Sequence, residues 1–240
     1  MEIQLPYTSI LKLEGPDTID LVDRIFTCSV QRLDTGASRP GALLTPQGKI
    51  IADFSLTRTE NGCSLAVHPD AVDALEKRLK LFRLRADVDI SRDETSAIEI
   101  DHSARIAAGQ AVYGHDFIDA EVYPTEVNLD VFGGLDYKKG CFVGQEVVSR
   151  MYRRGKIRKR TVVLEGEALE KGMEVRFGKK RLGKITSASD RNALAILRTE
   201  VLALALDTGA DITVGETPIT VPLPDWLKDE MAALAADENA

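Results

Sequence analysis

One cysteine in this sequence has the surroundings of a working thiol. Cys141 lies in the run Lys138-Lys139-Gly140-Cys141-Phe142-Val143-Gly144-Gln145-Glu146. Val147, Val148 and Met151 follow at the spacing of one buried helix face. Cys141 is therefore expected in a tight loop just before a helix start. There the partial positive charge of the backbone amides favours an anion such as a thiolate. Lys138 and Lys139 add positive charge, and the two glycines let a ligand approach the backbone closely. The competing reading is a small packing cysteine in a tight connection. Cys28 closes an amphipathic helix and Cys63 begins a strand, so both read as small hydrophobes.

Three further segments hold candidate groups. Glu126 follows Pro124 in Tyr123-Pro124-Thr125-Glu126-Val127-Asn128-Leu129-Asp130, and its spacing alone fits a capping or solvated acid. Asp53 falls inside a strand pattern, where Ile51 and Asp53 share one face and Ile50, Ala52 and Phe54 the other. It either points to solvent or lines a polar cavity. In residues 150–160 seven of eleven residues are basic, against a formal net charge of −7 for the chain. That run fits a polyanion such as tRNA or a polyglutamylated cofactor, or else a solvated connection between domains. His68, His102 and His115 have no metal-ligand spacing. The nucleotide-binding and serine-hydrolase motifs are absent.

The elements that must position these groups follow from periodicity. Ser9–Leu13 reads as a strand, and Asp17 caps a helix reaching about Thr27. Gly41–Thr45 and Lys49–Thr59 form a hairpin about Pro46-Gln47-Gly48, followed by the strand Cys63–Val67. Val72, Leu75 and Leu79 give Pro69–Phe82 a helical stripe. Asp87–Ser91 is a strand, Ser103–Gly109 a short helix, and Asn128–Phe132 a turn of helix. Beyond a boundary near Gly155, six short strands with glycine turns predict a small β-barrel. These are Thr161–Glu165, Glu174–Phe177, Leu182–Ser187, Ala193–Arg198, Ile212–Val214 and Ile219–Val221. The predicted fold class is α+β, with domains at 1–154, within which 41–91 is a candidate subdomain, and 155–224, and a peripheral helix or tail at 225–240.

With 240 residues, 44% of them apolar and 29% charged, the chain is long enough and apolar enough to bury a core. Three cysteines without a C-x-x-C pair exclude a disulfide framework and a self-contained cysteine cluster site. No run approaches the roughly 18 apolar residues of a membrane helix. The N-terminus lacks a basic start leading into an apolar run, so a cytoplasmic location is expected.

Lys139-Gly140-Cys141-Phe142-Val143-Gly144-Gln145-Glu146 resembles the K-G-C-[FY]-x-G-Q-E signature of the YgfZ-type folate-binding proteins, relatives of the glycine-cleavage T-protein (an aminomethyltransferase). Leu43–Lys49 resembles that family's early hairpin, Arg105–Gly109 its R-I-x-x-G helix, Pro124–Asp130 its P-x-E-x-x-L-D segment, and Gly183–Ser187 its G-x-[VI]-T-S barrel strand. The resemblance implies a folate-binding N-terminal part and a C-terminal barrel. It also implies tetrahydrofolate, or a one-carbon derivative, as cofactor. The implied role is assembly or repair of iron–sulfur clusters in client enzymes, including a tRNA thiomethylase, with iron–sulfur carrier proteins as partners. It makes Cys141 the functional thiol, or one ligand to a shared cluster, and Glu126 the acid facing the pterin. It draws Lys139, Gly140, Gly144, Gln145 and Arg150 toward the cofactor. Asp53 falls in the strand that carries the T-protein's catalytic aspartate, which keeps open an aminomethyl or methyl transferase using tetrahydrofolate. A scaffold binding RNA or protein through the basic run is a third reading, and it leaves Cys141 unexplained. An accessory factor, rather than a conventional turnover enzyme, is the expectation.

Overall fold

A computed structural model describes residues 9–93, 101–153 and 157–238. In chain order its elements are β1 (Ser9–Glu14), α1 (Thr18–Ile25), β2 (Ser38–Leu44), β3 (Ile50–Thr59), β4 (Gly62–Val67), α2 (Pro69–Arg83), β5 (Asp89–Asp93) and α3 (His102–Ala107). A 3-10 turn at Pro124–Val127 precedes α4 (Gln145–Arg153), β6 (Lys159–Glu165), β7 (Glu174–Phe177), β8 (Lys180–Ser189), β9 (Asn192–Arg198), α5 (Thr199–Thr208), β10 (Ile212–Val214), β11 (Thr217–Ile219) and α6 (Asp225–Glu238). The chain is an α+β protein with two antiparallel sheets. It divides into two compact units. One falls within Met1–Ile100, Val112–Pro124 and Leu129–Arg153, the other within Asp101–Ala111, Thr125–Asn128 and Arg154–Ala240. The expected boundary at Gly155 lies outside the described residues.

The first unit is built on a five-stranded sheet of order β2-β3-β4-β1-β5. Leu11, Leu13, Leu65 and Val67 are fully buried on it, and α1 adds Leu21, Val22 and Ile25 while α2 adds Ala71, Val72, Leu75 and Leu79. Residues 50–54 of β3 are buried on both faces. That is why simple alternation could not place Asp53: a central strand covered on both sides loses its polar face.

His68 is the N-cap of α2, its Nδ1 accepting the Asp70 N–H at 3.2 Å. Only neutral imidazole can accept there. Burial lowers the His68 pKa, opposed by the carboxylate of Asp70, whose Oδ2 lies 3.8 Å away. The rings of Tyr113 and His115 pack against it at 5.9 and 5.7 Å. A histidine whose folded pKa is depressed contributes stability above its unfolded value, about 6.5. That stability fades as pH falls below this value through the lower folded one. His68→Asn keeps a capping acceptor without the titration. Urea midpoints should therefore drop less for the Asn variant than for wild type between about pH 7 and 5.

The second unit is a six-stranded sheet of order β11-β10-β7-β8-β9-β6. Its ends meet where Glu165 and Thr220 exchange backbone hydrogen bonds of 2.8 and 2.9 Å, so the sheet closes into a barrel. Arg105, 4% exposed, ties α3 to this barrel by donating to Ser187 Oγ (2.8 Å) and the Gln110 carbonyl (3.0 Å). Two of the motifs quoted above thus meet in one hydrogen bond.

Three expectations change here. The helical turn forms at Pro124–Val127, not at Asn128–Phe132. The helix α5 was missed. Val201, Leu202, Ala203 and Ala205 are buried and Leu204 and Leu206 half-buried, so apolar residues run around the helix and blur any amphipathic stripe. Its stop signal was legible, since Gly209 holds the left-handed cap with φ +63°. Finally, α6 is not peripheral: Leu227, Met231 and Leu234 belong to the barrel's apolar core.

Candidate functional site

The Cys141 loop is laid onto the chain that leaves α1. Thr27 Oγ1 donates to the Gly134 carbonyl (2.7 Å) and the Asp136 N–H donates to the Thr27 carbonyl (2.9 Å). Asp136 Oδ1 then accepts the N–H groups of Lys138 and Lys139 at 2.8 and 3.1 Å, which fixes the turn leading to the cysteine. Lys139 does not reach outward as the resemblance implies. Its side chain is 2% exposed, and Nζ donates to the carbonyls of Phe26 (2.7 Å) and Cys28 (2.9 Å). Burial lowers its pKa, opposed by Asp23, whose Oδ1 lies 3.9 Å away. Lys139 is an internal strut that fastens the loop to the chain leaving α1.

Beyond the cysteine, α4 starts against the β2–β3 turn. Gly144 has φ +78°, and a Cβ there would meet the Thr45 carbonyl oxygen at 2.6 Å and Gly48 Cα at 3.0 Å. Gly48 has φ +81°, and its Cβ would meet Val147 Cβ at 3.2 Å. The two glycines make the backbones touch, so Gly144 is needed for packing. Gly140 is different: a Cβ there would meet nothing within 4 Å. Gln145 is the first residue of α4, its N–H donating to the Phe142 carbonyl (3.1 Å). Arg150 is exposed and pairs with Glu146 at 2.7 Å along the helix.

Cys141 is exposed, while Cys28 and Cys63 are buried. Burial pushes the Cys28 thiol up to about 11 and the Cys63 thiol up to about 12. Only Cys141 is presented to a reagent or a soft metal centre. Beside its loop, Tyr137 and Tyr152 stack with ring centroids 4.1 Å apart. Fifteen residues separate them in the chain, so no local period could reveal the pair.

Asp53 sits on β3 opposite Ala42 and is 4% exposed, which removes the solvent-facing reading. Its charge acts at the Tyr113 hydroxyl, whose pKa is raised by burial first, then by the nearby carboxylate of Asp119, and less by those of Asp70 and Asp53.

Glu126 belongs to the other unit. It is 6% exposed, which overturns the reading of a solvated acid. Its carbonyl accepts from Thr161 Oγ1 (2.9 Å), and Lys159 Nζ lies 3.8 Å from Oε1. In the same turn Asn128 takes φ +60° and donates Nδ2–H to the Thr161 carbonyl at 2.8 Å. Its Oδ1 and the Thr125 Oγ1 are buried and make no hydrogen bond among the described residues. Buried polar atoms left this way are costly and mark a place where a ligand or water completes the set.

Arg160 is buried and bound to Glu230, and Arg150 and Lys159 stand beside Glu146 and Glu126. Arg153 and Arg158 are exposed, and residues 154–156 lie outside the described residues.

Residues 158–229 match the family model for the CAF17 C-terminal β-barrel domain. Superposition gives a TM-score of 0.68 with the crystal structure of glycine-cleavage system aminomethyltransferase T from Bartonella henselae, over 89% of this chain and 81% of that one, at 14% identity. The chain has the aminomethyltransferase fold. In sequence it is similar to proteins named iron–sulfur cluster assembly factor IBA57, mitochondrial, or homologues of it. Identity is 47% over 60 residues in Mycosarcoma maydis, covering 25% of this chain and 15% of that protein. In Pyricularia oryzae it is 28% over 176 residues, covering 55% of this chain and 44% of the relative. In Mus musculus it is 33% over 113 residues, covering 43% and 31%. The chain thus spans less than half the length of these relatives. Their names place them in mitochondria, which overturns the cytoplasmic location expected above. A missing leader pattern was too weak a ground for that expectation.

Proposed function

We propose that this chain is a folate-binding factor of the YgfZ type that assists assembly or repair of iron–sulfur clusters in client proteins, with Cys141 as its working thiol. The observation that carries the reading is the exposure of Cys141 on a loop fastened on both sides, in a chain whose other two thiols are buried. The names of the IBA57 relatives support the process. No three His, Cys, Asp or Glu side chains gather as metal donors among the described residues. The cluster is taken as cargo: Cys141, a single exposed thiol, contributes one ligand, and the carrier or client protein supplies the rest.

Tetrahydrofolate fits the donor set of the 124–128 turn. Glu126 would accept the paired N–H donors of the pterin, as a carboxylate does bidentately. Thr125 Oγ1 and Asn128 Oδ1 supply further polar atoms with no hydrogen bond among the described residues. Bound folate supplies one-carbon chemistry. Contact with an RNA client would use exposed cations of the basic run, such as Arg158, and not Arg160, which is committed to Glu230. The second reading, a tetrahydrofolate-dependent aminomethyl or methyl transferase, is favoured by buried Asp53 on β3 within an aminomethyltransferase fold.

Calorimetry tests the cofactor. Tetrahydrofolate should bind the wild type, and Glu126→Ala should weaken binding by about 1.5–3 kcal/mol, the scale of a charged hydrogen bond. Absence of binding at millimolar ligand would remove folate from the proposal. One-carbon transfer to a lipoylated carrier, lost in Asp53→Asn, would favour the transferase.

A further inference from the structure

The second half of α2 and the chain just beyond it carry a feature that neither folate nor cluster chemistry uses. Residues 77–85 read Lys-Arg-Leu-Lys-Leu-Phe-Arg-Leu-Arg: five cations and no acid, in a chain of net charge −7. Lys80 pairs with Glu76, and Arg83 donates to the Val88 carbonyl. Lys77, Arg78 and Arg85 are exposed and make no ion pair or hydrogen bond among the described residues. Among these cations Leu81 is 63% and Leu84 83% exposed. Leu81 also lines a groove with Ile51, Ala74, Lys77, Arg78 and Asp119, and Ile118, next to Asp119, is 62% exposed.

Leu84 supplies an independent observation. It caps α2 at φ +48°, ψ −105°, a conformation that favours glycine and strains a branched side chain. Leucine there gains almost no packing. Strain kept at an exposed apolar residue is characteristic of a surface held for binding.

We propose that this surface docks an acidic segment of a partner protein, which places an apolar side chain in the groove while its carboxylates meet Lys77, Arg78 and Arg85. Charge complementarity selects the occupant: unpaired cations border an apolar floor, and the rest of the chain repels acids and so orients the encounter. The apolar lining of Ile51, Ala74 and Leu81 seats an apolar side chain, which a phosphate backbone lacks, and a concave floor suits a side chain better than a flat lipid surface.

The test uses the full chain and a short fluorescein-labelled peptide of glutamate and leucine, read by anisotropy. Three further probes are a lysine–leucine peptide, an oligouridine and phosphatidylglycerol vesicles. The acidic peptide should bind. Lys77→Glu with Arg78→Glu should weaken it about tenfold or more, as loss of opposed charges at an interface does, and Leu81→Ser should weaken it as well. Leu84→Gly should weaken binding and raise Tm, because it removes the strain together with the anchor. A purely structural leucine would not give that opposed pair. The proposal is overturned if the acidic peptide does not bind, if these substitutions leave its binding unchanged, if only the RNA or the vesicles bind, or if Leu84→Gly lowers Tm.

Discussion

Cys141→Ala is expected to abolish rescue of iron–sulfur enzyme activities in a strain lacking this protein, while leaving thermal stability within about 0.5 kcal/mol of wild type. The two halves of that expectation have separate causes. Stability is spared because the residue is exposed and its loop is held by neighbours: Lys139 on the Phe26 and Cys28 carbonyls, Asp136 on two N–H groups, Gly144 against Gly48. None of these contacts uses the sulfur. Function is lost because the remaining thiols cannot substitute. Burial raises them to about 11 and about 12, so near pH 7 they are protonated as well as enclosed. Iodoacetamide near neutral pH should accordingly label Cys141 first. Cys28→Ala should show the reverse pattern, with activity kept and stability reduced by about 1 kcal/mol. Cys28 Sγ lies where a Cβ on Gly41 would meet it at 2.6 Å, so its removal empties packed space. Full rescue by Cys141→Ala would mean that this thiol is not the working group.

How far such a site can be read from sequence depends on the range of the forces that build it. The exposure of Cys141 was legible because glycines and a helix start are local signals. So were β1 to β4 and α2, where sharp periodicity meets turn residues. The direction of Lys139 was not: its carbonyl partners are 111 and 113 residues away, and nothing near a lysine announces that it will be buried. Glu126 and Asp53 were ambiguous for a related reason. Each sits in a locally polar or alternating pattern, and only packing from distant strands makes them buried acids. Gly144 was legible as a motif residue, yet its reason, contact with Gly48, appears only once the hairpin is placed. The barrel strands were legible from their glycine punctuation, whereas α5 hid inside an apolar run.

The basic run illustrates the same lesson at its largest energetic scale. Arg160 looked like one charge among seven, yet it is 3% exposed. Its guanidinium grips Glu230 with NH2 at 2.7 Å and Nε at 3.2 Å, donates to the Thr125 carbonyl at 2.8 Å, and lies 5.2 Å from the Trp226 ring. One side chain therefore fastens α6 to β6 and holds the turn that carries Glu126. Arg160→Met should destabilise the barrel by about 3 kcal/mol, the lower part of the range for breaking a buried pair, because Glu230 retains 18% exposure and can recover some water. Arg160→Lys should not restore the loss, since a single ammonium cannot serve a carboxylate and a carbonyl in the fixed geometry of the guanidinium fork. Glu230→Gln should cost less, because the amide oxygen still accepts while the arginine keeps its bond to Thr125. Urea unfolding of Arg160→Met, Glu230→Met and the double variant closes the cycle. The double variant should be more stable than the sum of the single losses implies, by on the order of 1–3 kcal/mol. Additive losses would mean that the pair contributes no coupling. Folate binding should weaken in Arg160→Met as well, because the Thr125 carbonyl it releases belongs to the same turn as Glu126.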